Sequence, residues 1–207
     1  MKFVDPIVYL IIGVGVAYLV IGAMLSFYSL KAFQLLRNSK LLGLALGFLL
    51  LGIAVLMESA LSLIYGIDRI VYLYSRAVFV HAPLVAVLYN VIVLAAYIAF
   101  AYSVTNISTS ASPLILISLY SNPLMQLLTP AIQLYVALML WIQYYKGNSL
   151  VISNAVAFTL LLVDNFVLQA LSGKLHPFLS LLIFSVIRVL GLAFLVNGAT
   201  KVNYHEG

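Results

Sequence analysis

Three ionisable side chains, Glu58, Asp164 and Arg188, stand inside long apolar stretches of the chain and are its first candidates for chemistry. An ionisable group at the centre of a bilayer costs from about 3 kcal/mol upward. Such groups therefore normally face the interior of a helix bundle, pair with one another, or line a route for ions or substrate. A carboxylate in such a place can take up a proton or bind a cation.

The three side chains are predicted to lie at similar depth. At a rise of 1.5 Å per residue, Glu58 lies about 12 Å before Gly66, Asp164 about 13 Å before Gly173 and Arg188 about 18 Å after His176. Asp164 and Arg188 stand on consecutive antiparallel helices, so we expect an ion pair between them. On this prediction Arg188 neutralises Asp164 and not Glu58, whose carboxylate would then take up a proton or a cation. The alternative is a structural pair that only fixes helix register.

Amide side chains extend this set. Asn90 also falls near mid-depth, and further amides are those of Asn165, Gln169, Gln133 and Gln126. A pocket lined by Glu58, Asn90, Asp164 and Arg188 is predicted to bind a small polar or zwitterionic solute. The alternative for each amide alone is a hydrogen bond between helices, worth about 0.6 to 2 kcal/mol. The shared depth of the four residues is what favours a site.

The elements that must position these residues follow from the composition. Of 207 residues, 65% are hydrophobic and only 7% are charged, whereas about a quarter of the residues of a soluble domain are charged. A helix needs about 20 largely apolar residues to cross a hydrocarbon core of about 30 Å. Six segments meet this requirement: 5–28, 41–66, 78–103, 123–145, 149–172 and 177–200. The sequence therefore predicts an all-α, multi-pass bundle of transmembrane helices in the lipid bilayer of the cell membrane.

The net charge of +5 has a bearing on partners and on orientation. The basic residues are spread over short loops and form no patch interleaved with aromatic residues, so nucleic acid is not an expected partner. Lys31, Arg37 and Lys40 all lie near the junction of the first two segments. Because basic loops tend to stay in the cytoplasm, this junction is predicted to lie inside and the N-terminus outside.

A weak internal repeat divides the chain into two halves. Residues 38–62 and 148–172 agree at nine of 25 aligned positions, although the biased composition of apolar segments is a competing explanation. The alignment sets Asp164 over Ala54, one helical turn from Glu58, so both halves offer an acid from the same side of equivalent helices. The predicted organisation is two three-helix units and a linker with a short re-entrant or interfacial helix, at residues 1–103, 123–207 and 104–122.

Small residues recur at a spacing of four in both halves. Gly43 and Gly47 form a GxxxG step, and their counterparts in the alignment are Ser153 and Ala157. Small side chains four apart let helix backbones approach closely in lipid, where dispersion must hold helices together. All four residues are therefore predicted to lie at helix–helix contacts.

The number of helices decides how the two units are oriented. Six helices, our primary prediction, make the units inverted, as in many secondary transporters with a site at the midplane. The alternative splits residues 113–146 near Pro123 into two spans. This gives seven helices and two units of the same orientation.

Two histidines raise the question of a cofactor. The repeat loosely places His81 and His176 at the starts of the third and sixth segments, and two histidines can bind one haem as axial ligands. Haem b is therefore the alternative to no cofactor, but only with seven helices, because six would set the histidines about 30 Å apart on opposite faces. No other metal site is expected.

Signatures of enzymes are missing from the sequence. It contains no HExxH, GxSxG or Walker motif and no cysteine, so the protein is not expected to be an enzyme. Its 14 tyrosines fit the aromatic belts found at membrane interfaces.

The leading hypothesis for function is a small facilitator or transporter with a polar site at the midplane, whose partner is a small polar solute or a cation. A competing hypothesis is a non-catalytic subunit or sensor domain of a larger membrane assembly, or a homo-oligomer, because little chain remains outside the apolar segments. The third is an electron-transfer subunit with bis-histidine haem b.

Overall fold

The computed structural model describes the backbone of residues 4–65, 84–105, 125–171 and 177–204. These residues form six α-helices and one short 3-10 turn at Ser149–Val151. The helices are α1 Val4–Leu36, α2 Ser39–Tyr65, α3 Leu84–Val104, α4 Met125–Tyr145, α5 Ile152–Leu171 and α6 Pro177–Tyr204. No strand occurs in these four ranges, and the prediction of an all-helical chain is confirmed for them.

Length and composition mark two of the helices as able to cross a membrane. The qualifying segments are Tyr9–Leu36 in α1 and Ser39–Leu61 in α2. Shorter apolar helical stretches lie in α3, α5 and α6. Within the part of the chain that the structure describes, this indicates membrane association only weakly, since a buried core helix can have the same composition.

Two short junctions show why helices end where they do. α1 continues past the predicted end at residue 28 and stops at Arg37, which adopts a left-handed φ of 51°. Asn38 then accepts a hydrogen bond from the backbone N–H of Lys40 at 3.1 Å, which caps the start of α2. α4 ends at Tyr145 and is followed by Gly147, whose φ of 98° suits a residue without a Cβ. Both chain reversals thus follow from residues that tolerate or cap a helix terminus.

The six helices form a closed ring. Each described helix packs against the next in chain order, and α6 returns to pack against α1. The largest fully buried side chains are those of Tyr18, Phe100, Gln133 and Val136. The interior of the ring is therefore where side chains of helices distant in sequence meet.

The direction of α3 and α4 decides the orientation of the two halves. Gln143, near the end of α4, donates from Nε2 to the carbonyl of Val104 at the end of α3, at 3.2 Å. These two neighbours are therefore parallel, and Val104 and Met125 lie at opposite ends of the ring. The inverted arrangement expected from six alternating helices is wrong for the described helices, because α1 to α3 and α4 to α6 begin at the same end.

We call the end of the ring at which α1 begins the near end, and the end that holds the junction at residues 37–38 the far end. α1, α3, α4 and α6 begin at the near end, and α2 and α5 begin at the far end. The predicted short helix of the linker falls at residues 113–121, and it lies outside the described residues.

The predicted GxxxG step of α2 lies against α3. A Cβ built on Gly47 would stand 2.6 Å from Cε1 of Phe100, and one on Gly43 would stand 2.9 Å from the carbonyl oxygen of Ala99. Real Cβ atoms essentially never come closer than 3.0 Å to such neighbours. The absence of side chains at both positions is therefore what lets α2 and α3 approach.

The counterparts in the second half lie on α5 and are also buried. Ser153 accepts a long hydrogen bond, 3.5 Å, from Nδ2 of Asn197 on α6. The carbonyl of Ala157 lies 3.7 Å from the position of a Cβ on Gly191 of α6. Each pair of small residues thus packs on the third helix of its own half.

Candidate functional site

Each of the six helices contributes a polar side chain to the interior of the ring. These residues all line a single cavity, and together they are called the central polar cluster: Tyr18 of α1, Glu58 of α2, Tyr89 and Tyr97 of α3, Gln133 of α4, Asp164 of α5 and Arg188 of α6. The remaining lining residues are apolar and come from α2, α3 and α5. The ring closure between α6 and α1 is what completes the cluster.

Arg188 joins the two buried acids. Its Nε lies 2.8 Å from Oδ2 of Asp164, and its Nη2 lies 2.8 Å from Oε1 of Glu58. The predicted Asp164–Arg188 pair is confirmed, whereas the expectation that Arg188 would neutralise Asp164 and not Glu58 is wrong. The reason is the shape of the guanidinium, whose five N–H donors form a fixed fork that can serve two carboxylates at once.

The four carboxylate oxygens of Glu58 and Asp164 differ in their hydrogen-bond donors. The Tyr89 hydroxyl donates to Oε2 of Glu58 at 3.1 Å, so both oxygens of Glu58 have a donor. In Asp164, Oδ2 is bonded to Arg188, while Oδ1 is buried and has no hydrogen-bond partner among the described residues. With all three groups ionised, two acids and one base leave the cluster with a charge of −1.

Tyrosines and an amide hold the rest of the cluster. The Tyr18 hydroxyl donates to the backbone carbonyl of Arg188 at 2.6 Å, which ties α1 to α6 at the level of the ion pairs. Tyr97 and Gln133 share a hydrogen bond between α3 and α4. Both side chains are almost fully buried, and a hydrogen bond is what makes such burial of polar atoms tolerable.

Two small cavities lie on either side of the Glu58–Arg188 pair. The central cavity, lined by the central polar cluster, has about 30 Å³ of water-accessible space. The outer cavity, with about 40 Å³, is displaced toward the near end and is lined by Glu58, Arg188 and five others: Ile11, Val14, Ser59, Phe184 and Ser185. Because Glu58 and Arg188 line both, their ion pair separates the two spaces.

Aromatic rings fill the core beyond the central cavity, toward the far end. Phe100 is fully buried, and its ring centroid lies 4.8 Å from that of Phe158, 5.0 Å from that of Phe48 and 6.1 Å from that of Tyr97. All three contacts are edge-to-face, which is the geometry aromatic pairs favour. These four residues, called the aromatic cluster, close the far side of the site.

Asn90, one of the four predicted site residues, does not join the cluster. Its side chain is exposed, while the preceding residue, Tyr89, reaches Glu58. Successive residues on a helix differ by about 100° in direction. The inward face of α3 therefore carries Tyr89, Val93 and Tyr97, each one turn from the last.

Three tyrosines of the cluster were missed by reasoning from the sequence, which assigned tyrosines to interfacial belts. Tyr18, Tyr89 and Tyr97 lie inside their helices, away from the ends at which such belts are expected. A polar side chain at that depth is the same signal that singled out Glu58. Position along the helix, and not residue type, was the informative feature.

The haem alternative rests on residues outside the described ranges, since His81 and His176 both fall there. Within the described residues, no group of three or more His, Cys, Asp or Glu side chains is arranged to hold a metal ion. The two acids of the cluster share their site with a guanidinium instead.

Comparisons with known proteins place no constraint on the function. No protein-family model matches the sequence, no curated protein matches it, and no solved structure matches the fold.

Proposed function

We propose that the chain is a multi-pass membrane protein that acts as a small facilitator or transporter, and that the central polar cluster is its site for a small cationic solute. The observation that carries this proposal is the convergence of one polar group or more from every helix of a closed ring on one cavity between the helices. Buried ionisable groups are costly in lipid and mark routes for ions or substrates. A cluster assembled from six helices also couples the site to movements of any of them.

The distribution of apolar side chains supports a bilayer around the ring. Large apolar side chains are exposed along the whole outer face of α1: Tyr9, Leu10, Ile12, Val16, Val20, Met24 and Phe27. A face of this length cannot be left in water without association. An apolar exterior around a polar centre is the arrangement expected of a membrane bundle with a route through it.

Cavity size and charge define the class of solute. Pockets that take a drug-sized or metabolite-sized ligand have volumes of about 300 to 1,000 Å³, and the two cavities offer about 30 and 40 Å³. One or two water molecules, or an ion of that size, fill such a space. The excess carboxylate favours a cation, so we place a small cation above the zwitterionic solute that the sequence suggested.

The proposed route begins at the near end. A cation enters the outer cavity, meets the Glu58–Arg188 pair and passes to the central cavity and Asp164. The aromatic cluster then closes the path toward the far end. Passage requires Arg188 to move relative to one of its two acids and the rings around Phe100 to separate, which is the behaviour expected of a protein that opens to one side at a time.

The test is flux into liposomes that contain the purified protein. Proton, ammonium, sodium and potassium movements are followed with encapsulated indicators, for the unaltered protein and for Glu58→Gln and Asp164→Asn. We expect flux of one cation above that of empty liposomes and its loss in both variants. Lys146→Gln, at an exposed position in the α4–α5 junction, is the matched control and should keep the flux. Absence of flux for every cation, or normal flux in both acid variants, overturns the proposal.

Orientation in the membrane is tested separately with single cysteines. The chain has none of its own, and Asn38 and Asn148 are exposed at the two far-end junctions. Asn38→Cys and Asn148→Cys should therefore react with an impermeant maleimide from the same side of intact cells. Labelling from opposite sides contradicts the arrangement of the ring, and permeabilised cells serve as the control for reactivity.

A membrane subunit or sensor of a larger assembly is the second candidate. One observation favours it, namely the exposed amide of Asn90 between the exposed apolar residues Leu88 and Val91 on α3. An amide facing lipid is costly, and a neighbouring protein would satisfy it. Purification in mild detergent should then yield a stoichiometric partner that Asn90→Leu releases, whereas a monodisperse free protein counts against this candidate.

A further inference from the structure

One atom of the central polar cluster stands apart from the others. Asp164 lines the central cavity, and its Oδ1 is buried and has no hydrogen-bond partner among the described residues. The Asp164 residue as a whole is only 4% exposed. A buried carboxylate oxygen without a donor costs about 1 to 3 kcal/mol or more, so a species that satisfies this oxygen would be strongly favoured at the site.

We propose that Oδ1 of Asp164 carries an exchangeable proton, and that the proton is the cation that the central site takes up. This deepens the proposed function, on which it rests for any role in transport. Uptake forms an O–H bond at Oδ1 as a hydronium ion that reaches Asp164 by way of the central cavity breaks one of its O–H bonds and remains as a water molecule. The charge of the cluster then changes from −1 to zero, with the Arg188–Glu58 pair left intact.

Asp164 is favoured over Glu58 by the hydrogen bonds of the two acids. Oε1 of Glu58 lies 2.8 Å from Arg188, and Oε2 accepts from the Tyr89 hydroxyl. Protonation of either oxygen would displace or weaken a donor. At Asp164 the second oxygen can be protonated while Oδ2 keeps its bond to Arg188.

A proton suits the site better than a metal ion. A sodium or potassium ion would stand in the same small cavity as the guanidinium of Arg188, which lies 2.8 Å from the other oxygen of the same carboxylate. The two positive charges would repel each other strongly at low local dielectric. A proton avoids this repulsion because it converts the carboxylate into a neutral donor.

The groups that face Asp164 come from every neighbouring helix. They are Tyr18 from α1, Glu58 from α2, Tyr89 and Tyr97 from α3, the amide of Gln133 from α4, and Arg188 from α6. Glu58 and Arg188 are the only charged ones among the described residues lining the cavity, so the charge of the site depends on three groups.

Infrared difference spectroscopy of the protein in lipid vesicles tests the proposal. The pH of the surrounding buffer is stepped, and the C=O stretch of protonated carboxyl groups is recorded. We expect a band that appears on acidification, shifts in heavy water, disappears in Asp164→Asn and remains in Glu58→Gln. A band that persists in Asp164→Asn, or the absence of any such band, overturns the proposal.

Isotope labelling keeps the experiment decisive if Asp164→Asn does not fold. The chain has three aspartates, Asp5, Asp68 and Asp164, so aspartate labelled with carbon-13 in its carboxyl group shifts the band if an aspartate carries the proton. Asp5→Asn and Asp68→Asn should leave the band in place, and Asp164→Glu should move it to a different frequency. A band that is insensitive to the aspartate label overturns the proposal.

The spectroscopic result and the flux result can fail independently. A pH-sensitive Asp164 band without flux in liposomes removes the transport function and leaves the protonation site. Flux of ammonium, sodium or potassium without such a band leaves the transport function and removes the proton from Asp164.

Discussion

The two halves of the ring interior are built on different principles. Toward the near end, the interior contains two acids, a guanidinium and two cavities of about 40 and 30 Å³. Toward the far end, interlocked aromatic rings and the close approach of α2 to α3 at Gly47 leave the core filled. The near half depends on balanced charge, and the far half depends on shape.

This difference suggests that the two halves of the ring interior have different roles in the proposed function. A transport site must be accessible to its solute. If it were open to both sides of the membrane at once, solute would leak through. On the proposed function, the near end is the accessible side and the aromatic cluster closes the far side. Substitutions in the two halves should therefore have different consequences for stability and for leakage.

The largest effect is expected from removing the guanidinium. Arg188→Met leaves two buried carboxylates without their shared base, and breaking a buried ion pair in this way costs about 3 to 5 kcal/mol. The midpoint of thermal unfolding in detergent should fall accordingly. A triple variant, Glu58→Gln with Asp164→Asn and Arg188→Met, removes all three charges and should recover most of the loss. Equal stability of the single variant and the unaltered protein contradicts the charge-balance account of the near half.

The next largest effect is expected from a substitution in the aromatic cluster toward the far end. Phe100→Ala removes a fully buried ring, and truncation of a buried phenylalanine costs about 3 kcal/mol or somewhat more. The variant should also increase proton leakage through liposomes, because the rings of Phe48 and Phe158 lose the one between them. Phe27→Ala is the matched control, since Phe27 is 64% exposed. Unchanged leakage in Phe100→Ala would show that the far end is closed by other residues.

Two glycines on α1, Gly22 and Gly13, differ in the space around them, so their alanine variants should differ in stability. A Cβ on Gly22 would stand 2.6 Å from the backbone carbonyl oxygen of Phe48, which cannot rotate away. Gly22→Ala should therefore lower the free energy of unfolding by about 1 to 3 kcal/mol. Gly13 has nothing within 4 Å of the same position, so Gly13→Ala should be neutral or stabilising by up to about 1 kcal/mol. Similar behaviour of the two variants in thermal unfolding would contradict the described α1–α2 contact.

The smallest effect concerns the hydroxyl that joins α1 to α6. Tyr18→Phe removes the donor to the Arg188 carbonyl but keeps the ring, so the expected loss is about 1 kcal/mol in unfolding free energy. Tyr28→Phe, at an exposed position of the same helix, should have no effect. If Tyr18→Phe lowers the cation flux strongly while the free energy of unfolding falls by only about 1 kcal/mol, this bond positions Arg188.

Part of the site could be predicted from single residues. Glu58, Asp164 and Arg188 were found because ionisable groups are rare in apolar helices, and the Asp164–Arg188 pair followed from two consecutive antiparallel helices. The internal alignment sets Asp164 over Ala54. In the structure Ala54, Glu58 and Asp164 all line the central cavity. Depth along a helix was enough to make these predictions.

Other parts could not be predicted because they depend on rotation about the helix axis. Asn90 and Tyr89 have nearly the same depth, yet only Tyr89 points into the ring. α3 is apolar on all sides, so its sequence contains no amphipathic pattern to indicate the inward face. The neighbours of a helix in the bundle decide that face.

The sequence by itself determined the helical class and the depth of the buried charges, because these depend on local composition and on the rise of a helix. Only the tertiary structure decided that α3 and α4 are parallel, that α6 closes on α1, and that one guanidinium serves two acids. Those features depend on contacts between residues as far apart in the chain as Tyr18 and Arg188. No local pattern encodes such contacts, since they form only when the ring closes.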